Sequence, residues 1–217
     1  MFTHIDTPVA EAVRTVVDGV RYYKTPEGIL YPSVTTVLGA GKENDLDEWK
    51  ERVGEEQAIK IGRQAANRGT RIHKYCEDYL SNQSPTISNL LDLSMFNTMK
   101  KYLDKIDNVR LLEGALYSDH LKMAGTVDCV GEYANKLSVI DYKTSAKEKI
   151  KEWITGYFLQ TTIYAIMFEE RTGIPITQLV IIIGNDQGST QVFIEHRNNW
   201  IKQVKDQRKL YKNMYGC

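Results

Sequence analysis

The sequence is poor in cysteine and has no long apolar run. Its three cysteines, Cys76, Cys129 and Cys217, are scattered and odd in number, which excludes a disulfide framework and argues against a zinc or iron–sulfur cluster. No stretch approaches the length of a membrane span, and the opening residues MFTHIDTPVAEAV lack the features of a signal or transit peptide. We therefore expect reduced thiols, a cytoplasmic location and no membrane partner.

The sequence also has no net charge, but its charges are unevenly distributed. The 28 lysines and arginines equal the 28 aspartates and glutamates. Residues 43–56 are acidic, whereas residues 57–76 contain no acid, and residues 197–212 contain six bases against one acid. Basic stretches are typical of surfaces that bind a polyanion, although solvated helix faces explain either stretch alone equally well. Arg68, Arg71 and Lys74 are the candidates for nucleic-acid contact.

The hydrophobic pattern predicts one domain over residues 1–217. With 42% hydrophobic residues in 217, the chain can bury a core and is short enough for a single unit. Two β-prone runs in VRYYKTPEGILYPSV predict a hairpin around residues 26–28. Helical periodicity follows over about 45–80, with a break near Gly54, and again over about 89–106.

Strand patterns dominate the rest of the chain. VRLLEGALY, MAGTVDCVGEY and KLSVIDYKT predict successive strands, the last two joined by a turn at 134–136. A helix over 151–171, strands at TQLVIIIG and STQVFIEH, and a final basic helix follow. The order predicts an α/β fold with a mixed central β-sheet flanked by α-helices. Its parts are an N-terminal hairpin with helices (about 20–108), the sheet core (about 109–196) and the C-terminal helix (about 197–215).

Candidate chemistry begins at the strand VIDYKTS. Residues i and i+2 of a strand share a face, so Asp141 and Lys143 lie side by side. Pairing around the 134–136 turn brings Asp128 of GTVD to the same end of the sheet. Two carboxylates there repel each other unless a cation lies between them, and oxygen ligands suit Mg²⁺. Taken alone, Asp141 and Lys143 are better explained as a surface ion pair.

Three further features accompany these residues. Glu113 ends the apolar run VRLLE on the preceding strand. His73 lies one helical turn before Glu77, and Gln160 lies one turn before Tyr164. Each feature alone has an ordinary structural explanation, and it is their combined order that indicates a site.

That order is G-T-x-x-H, Glu, G-T-x-D, D-x-K and Q-x-x-x-Y, and it resembles the PD-(D/E)XK nuclease superfamily, within it the RecB-like exonuclease branch. YYKTPEGILYPSVTTVL, GTVDCVGEYANKLSVIDYKTS and LQTTIYA are similar to the mitochondrial genome maintenance exonucleases and their phage-encoded relatives, over about residues 22–165. The resemblance implies a restriction-endonuclease-like core. It also implies metal-dependent cleavage of DNA from ends, with single strands favoured, in replication, recombination or repair.

The resemblance assigns roles to particular residues. Asp128 and Asp141 would bind Mg²⁺ or Mn²⁺, together with the backbone carbonyl of Tyr142. Lys143 would be the catalytic lysine, and His73 would be a further metal ligand or would contact the scissile phosphate.

The remaining motif residues have less direct roles. Glu113 matches the upstream catalytic acid, and Gln160 and Tyr164 match the motif expected to orient the site and touch DNA. No targeting segment precedes Tyr22 and no cysteine cluster is present, which favours a phage-infected or bacterial cell and argues against an iron–sulfur cluster. Phage or host recombination or replication proteins are the expected partners besides DNA.

Other functions stay open at this point. The same metal site would serve a structure-specific or restriction-type endonuclease, and the same fold would serve a non-catalytic DNA-binding module, although the full set of acids with Lys143 disfavours the module. LGAGKE at residues 38–43 lacks the spacing of a phosphate-binding loop, which sets a nucleotide-binding protein aside.

Overall fold

The computed structural model describes residues 1–41 and 43–216, and it describes the side chains of all of these except residues 43–46. Lys42 of LGAGKE and the thiol of Cys217 therefore lie outside the described residues. Cys76 and Cys129 are free and buried, as expected for reduced thiols.

A small antiparallel sheet forms the N-terminal part of the fold. It consists of β1 (Val13–Val17), β2 (Val20–Lys24) and β3 (Leu30–Pro32) in that order. The β2–β3 pairing confirms the hairpin predicted around residues 26–28. Strand β1 was not predicted, although Asp18-Gly19 is a strong signal for a two-residue hairpin turn. Both turn residues have positive φ, 50° for Asp18 and 78° for Gly19, as such a turn requires.

The central sheet has five strands that lie in their order along the chain. Each neighbouring pair is antiparallel except β6 and β7, which are parallel and so need a crossover helix. The strands are β4 (Ile106–Ser118), β5 (Met123–Tyr133), β6 (Lys136–Ser145), β7 (Gln178–Asn185) and β8 (Thr190–His196). All five predicted strands of the core are confirmed, and the sheet is mixed as expected.

Helices cover both faces of this sheet. They are α1 (Val34–Gly39), α2 (Glu43–Val53), α3 (Glu55–Leu80), α4 (Leu90–Leu103), α5 (Thr155–Thr172) and α6 (Ile201–Tyr215). Short 3₁₀ turns at Lys151–Ile154 and Arg197–Asn199 lead into α5 and α6. The predicted break falls at Gly54, whose φ of 87° ends α2 before α3 begins.

One helix boundary differs from the prediction. The helix expected over 89–106 ends at Leu103, and Ile106 instead opens β4 by pairing with Tyr133. Ile106 is apolar and buried in β4, and it would be buried equally well at the end of a longer helix. The hydrophobic pattern at this position therefore does not distinguish the end of a helix from the start of a strand.

The core has two main layers, one on each side of the sheet. One layer packs α1, α5 and α6 against residues such as Val130 and Val139. The other packs α3 and α4 against residues such as Cys129 and Ile140. This arrangement confirms the expected α/β fold with a mixed sheet flanked by helices. In the described part of the chain, no helix is long and apolar enough to cross a membrane.

Candidate active site

Asp128 and Asp141 lie next to each other where β5 and β6 separate. The last paired residues of the two strands are Cys129 and Ile140, so Asp128 and Asp141 are the next position of the ladder. There the Asp128 Oδ2 atom accepts a hydrogen bond of 2.8 Å from the backbone N–H of Tyr142. A carboxylate thus takes the place of a strand partner, and the chain places two buried acids side by side.

Lys143 pairs with Asp141 rather than reaching into solvent. Its Nζ atom lies 2.6 Å from Oδ1 and 2.5 Å from Oδ2 of Asp141. The ammonium also lies 5.1 Å from the centre of the Tyr157 ring, a favourable cation–π arrangement. Among the described groups, no directed hydrogen bond reaches Asp141 Oδ2, although it is buried.

Burial and the neighbouring charges shift the pKa values of this pair. Burial raises the pKa of Asp141 to about 6, and the nearby Asp128 charge adds to the increase while Lys143 opposes it. Burial acts to lower the pKa of Lys143, but the charges of Asp141 and Asp128 outweigh it and raise that pKa above its ordinary value. Lys143 is therefore an ammonium ion at neutral pH.

A second group of ligand-type atoms lies beside Asp128. The His73 Nδ1 atom of α3 is 3.6 Å from Asp128 Oδ1 and 3.9 Å from Glu113 Oε1. Glu113 lies in β4 with a φ of 48°, an uncommon conformation for a residue other than glycine. Such strained residues persist where the surrounding structure fixes them, often at functional sites.

The charges of these acids also act on His73. Burial acts to lower the pKa of His73, but the Asp128 charge and the nearby Glu113 carboxylate raise it to about 9. The imidazole ring also meets the Tyr142 ring edge-on, with centroids 6.0 Å apart. The position of His73 is thus fixed by two carboxylates and one aromatic ring.

The donor set fits a divalent cation. One ligand atom from each of His73, Glu113 and Asp128 lies within 4.8 Å of the other two. Two carboxylates and one imidazole are suitable ligands for Mn²⁺, and the carboxylate oxygens are also suitable ligands for Mg²⁺. The group joins His73 and Asp128, both predicted ligands, with Glu113, which was predicted as the upstream catalytic acid. Asp141, the other carboxylate predicted to bind the ion, lies outside this group and forms an ion pair with Lys143.

A cleft of about 570 Å³ opens over the group of His73, Glu113 and Asp128. Residues of α3 form one side, and residues of β1, β2 and the start of α1 form another. Gln160 and Tyr164 of α5 also line it, as predicted from their shared helix face. Asp141 and Lys143 are not among its lining residues: Asp141 is buried, and Lys143 is half-buried and paired with it.

Tyr164 is held tightly at the base of the cleft. Its side chain is buried, and burial raises the pKa of its hydroxyl well above the ordinary value. A Cβ atom added at Gly125 would lie 2.8 Å from the Tyr164 hydroxyl oxygen and 3.1 Å from Val34 Cγ2. Gly125, the glycine of the GTVD motif, is therefore required for close packing of β5 against α5 and α1.

The three basic residues predicted on α3 differ in their surroundings. Arg68 forms an ion pair of 2.5 Å with Asp186 in the turn between β7 and β8, and Arg71 forms one of 2.5 Å with the buried Asp92 of α4. Both line a separate cavity of about 440 Å³. Lys74 lines the main cleft and pairs with Glu77 and with a second acid one turn away.

Sequence reasoning missed one side of the cleft. Arg14 and Arg21 of the N-terminal sheet line it together with Tyr23, Ser33 and Thr35. The alternating pattern on both sides of Asp18-Gly19 would have placed the two arginines on one strand face, had the turn been recognised.

Comparisons with known proteins identify relatives of this chain. A model of the PD-(D/E)XK nuclease superfamily matches residues 90–213, more than half of the chain. Mitochondrial genome maintenance exonuclease 1 of Homo sapiens is 35% identical over 129 residues, covering 54% of this chain and 38% of that protein. The protein of the same name in Xenopus tropicalis is 28% identical over 205 residues, covering 82% and 57%. The chain thus spans less than two thirds of the length of these curated relatives.

Two solved structures are more distant. A proposed exonuclease from Eubacterium rectale has a TM-score of 0.48 at 14% identity, covering 69% of this chain and 64% of its own. An alkaline exonuclease from Laribacter hongkongensis has a TM-score of 0.34 at 9% identity, covering 67% and 77%. Neither likeness is close enough to add to the match of the superfamily model.

Proposed function

Because this chain belongs to the PD-(D/E)XK nuclease superfamily, we propose that it is a divalent-metal-dependent nuclease that hydrolyses DNA from free ends. The ion is Mg²⁺ or Mn²⁺, and the preferred substrate is single-stranded DNA. The names of both curated relatives contain the word exonuclease, which supports cleavage from ends.

One observation carries the proposal. His73, Glu113 and Asp128 converge at an open cleft, and Asp128 lies directly beside the buried Asp141, which pairs with Lys143. An ordinary surface ion pair needs one carboxylate and no burial, whereas here two carboxylates, Asp128 and Asp141, are buried at the same position of the sheet. The cost of burying such charges is expected where a cation or substrate uses them.

The chain would hold the ion through Asp128, Glu113 and His73, with Asp141 as a further ligand when its carboxylate turns from Lys143. A bound Mg²⁺ or Mn²⁺ supplies a Lewis acid that activates water and offsets the charge of the phosphate. Lys143 acts as a donor and point cation and not as a base, because its raised pKa keeps it protonated.

Tyr157 and the backbone of Tyr142 support this chemistry, and the backbone carbonyl of Tyr142 stays a predicted metal ligand. The Tyr157 ring limits where the Lys143 ammonium can lie. The backbone N–H of Tyr142 orients one oxygen of Asp128, so that the other oxygen faces His73. Gln160 and Tyr164 line the cleft where a strand would enter.

A time course with two substrates tests the proposal. End-labelled linear single-stranded DNA and a covalently closed circle of the same sequence are incubated with Mg²⁺, Mn²⁺ or EDTA. We expect metal-dependent loss of the linear strand while the circle stays intact. Cutting of the circle would support an endonuclease, and binding without any cutting would support a non-catalytic DNA-binding module.

A pair of matched variants connects the activity with the site. Asp141→Asn should abolish cleavage, because it removes one of the two buried charges. Asp186→Asn makes the same chemical change in the turn between β7 and β8, outside the cleft, and should retain cleavage. Equal activity of the two variants would contradict the proposed site. The cytoplasmic location in a bacterial or phage-infected cell, and recombination or replication partners, stay predictions.

A further inference from the structure

The face of the N-terminal sheet that meets the cleft carries two arginines. In the β1–β2 ladder, Arg14 lies opposite Tyr23 and Arg21 lies opposite Val16. Alternate residues of a strand share a face, so all four side chains point the same way. Tyr23 is buried and its hydroxyl lies 3.1 Å from Thr126 Oγ1 of β5. This contact holds the face of the N-terminal sheet that carries Arg14 and Arg21 against β5, at the floor of the cleft.

The cleft is acidic at its floor and basic at this wall. Glu113 and Asp128 contribute the floor, while Arg14 and Arg21 line the wall formed by β1 and β2. A floor of carboxylates repels the phosphates of a nucleic acid. A DNA strand that enters this cleft therefore needs cations nearby to hold its phosphates.

Among the side chains that the structure describes, neither Arg14 nor Arg21 forms an ion pair or a side-chain hydrogen bond, so no protein group competes with a ligand for either guanidinium. Arg68, Arg71 and Arg171 behave differently, because each of them pairs with a carboxylate. The two exposed guanidinium groups of this wall are thus available to an anionic ligand.

Their spacing suits consecutive groups of a polyanion. Arg14 and Arg21 are diagonal neighbours across an antiparallel pair, and such positions lie about 7 to 8 Å apart. This is comparable to the separation of successive phosphates in an extended strand. Each guanidinium can bind one phosphate through two parallel hydrogen bonds.

We propose that Arg14 and Arg21 bind two phosphates of the DNA strand next to the scissile one, so that the N-terminal sheet is a DNA-binding wall of the cleft. The inference rests on the proposed function, since it assumes that DNA enters the cleft. It adds a substrate contact outside the motif residues, on strands that precede the region matched by the superfamily model.

Binding measurements with a matched control test it. Fluorescence anisotropy follows a labelled single-stranded oligonucleotide in Mg²⁺ over a range of salt concentrations, and every protein carries Asp141→Asn so that the strand stays intact. Arg14→Gln, Arg21→Gln and the double variant are compared with Lys24→Gln. Lys24 lies on the same sheet, but its register opposite Val13 places it on the other face.

Each lost phosphate contact should make the negative slope of the logarithm of the association constant against the logarithm of the salt concentration shallower by about 0.7. At 0.1 M salt this corresponds to a loss of about fivefold in affinity per arginine and about 25-fold for the double variant. Lys24→Gln should leave both quantities unchanged. Arg→Lys variants should keep the slope and lose part of the affinity, because lysine keeps the charge without the two-pronged contact.

The outcomes separate the two proposals. If the parent protein binds the strand and the arginine variants behave like Lys24→Gln, the inference is wrong and the proposed function is unaffected. If the parent protein does not bind the strand at all, the proposed function and the inference both fail. Melting temperatures of the variants check that the exposed substitutions leave the fold intact.

Discussion

Binding of a divalent ion in the cleft should release a proton from His73. The imidazole lies within 4 Å of two carboxylates, 3.6 Å from Asp128 and 3.9 Å from Glu113. Burial acts to lower the pKa of His73, but these acids raise it to about 9. An imidazole must be neutral to bind a metal, so the ion and the proton compete for the same nitrogen.

The size of the effect follows from this pKa. At pH values below about 9, each unit of increase in pH should raise the affinity for the ion tenfold if one proton is released. From pH 7 to 8.5 the affinity should rise about 30-fold, or about 2 kcal/mol. The pKa of Asp141, about 6, lies below this interval, and that of Lys143 lies above it, so neither residue accounts for the slope.

Isothermal titration calorimetry with Mn²⁺ measures both the affinity and the proton release, if it is repeated in two buffers with different heats of ionisation. His73→Gln should abolish the pH dependence. His120→Gln, in the exposed turn between β4 and β5, is the matched control and should keep it. A wild-type affinity that is constant from pH 7 to 8.5, or a slope that persists in His73→Gln, would refute the reasoning.

Three further substitutions have expected outcomes. Lys143→Met should abolish cleavage and, because it leaves the buried Asp141 unpaired, lower the free energy of unfolding by about 3 kcal/mol at pH 8. Urea titrations should show a smaller loss of stability at pH 5, where the Asp141 carboxyl group is protonated, and an equal loss at the two pH values would contradict this explanation. Arg71→Ala should cost about 2 kcal/mol in the same assay, because the buried Asp92 loses a charged partner, and unchanged stability with weakened DNA binding would instead support the contact predicted from sequence. Gly125→Ala should cost about 2 kcal/mol through its 2.8 Å approach to a tyrosine hydroxyl, and a thermal melt like that of wild type would contradict this packing.

The central sheet and its acids could be predicted because the relevant information is local. Alternation in MAGTVDCVGEY and KLSVIDYKT defines two strands, and a short turn between them leaves little freedom in their register. Asp128 and Asp141 therefore had to meet, and the observed pairing of Cys129 with Ile140 places them at the same level. The resemblance to the superfamily, read from the order of the motifs, is confirmed by the match of its model.

Tertiary contacts were less accessible to sequence reasoning. Arg68 finds its partner 118 residues away and Arg71 finds its partner 21 residues away, and no helical period reveals such partners. The positive φ of Glu113 and the ion pair between Lys143 and Asp141 likewise depend on packing around the strand ends.

The most direct test of the account locates the metal. Crystals grown with Mn²⁺ and a phosphorothioate single strand, which resists hydrolysis, would give anomalous difference maps at a wavelength near the manganese edge. We expect the strongest peak within coordination distance of Asp128, with Glu113, His73 or Asp141 as further ligands and a phosphate of the strand beside it. Manganese bound only elsewhere, with the strand outside the cleft, would contradict it.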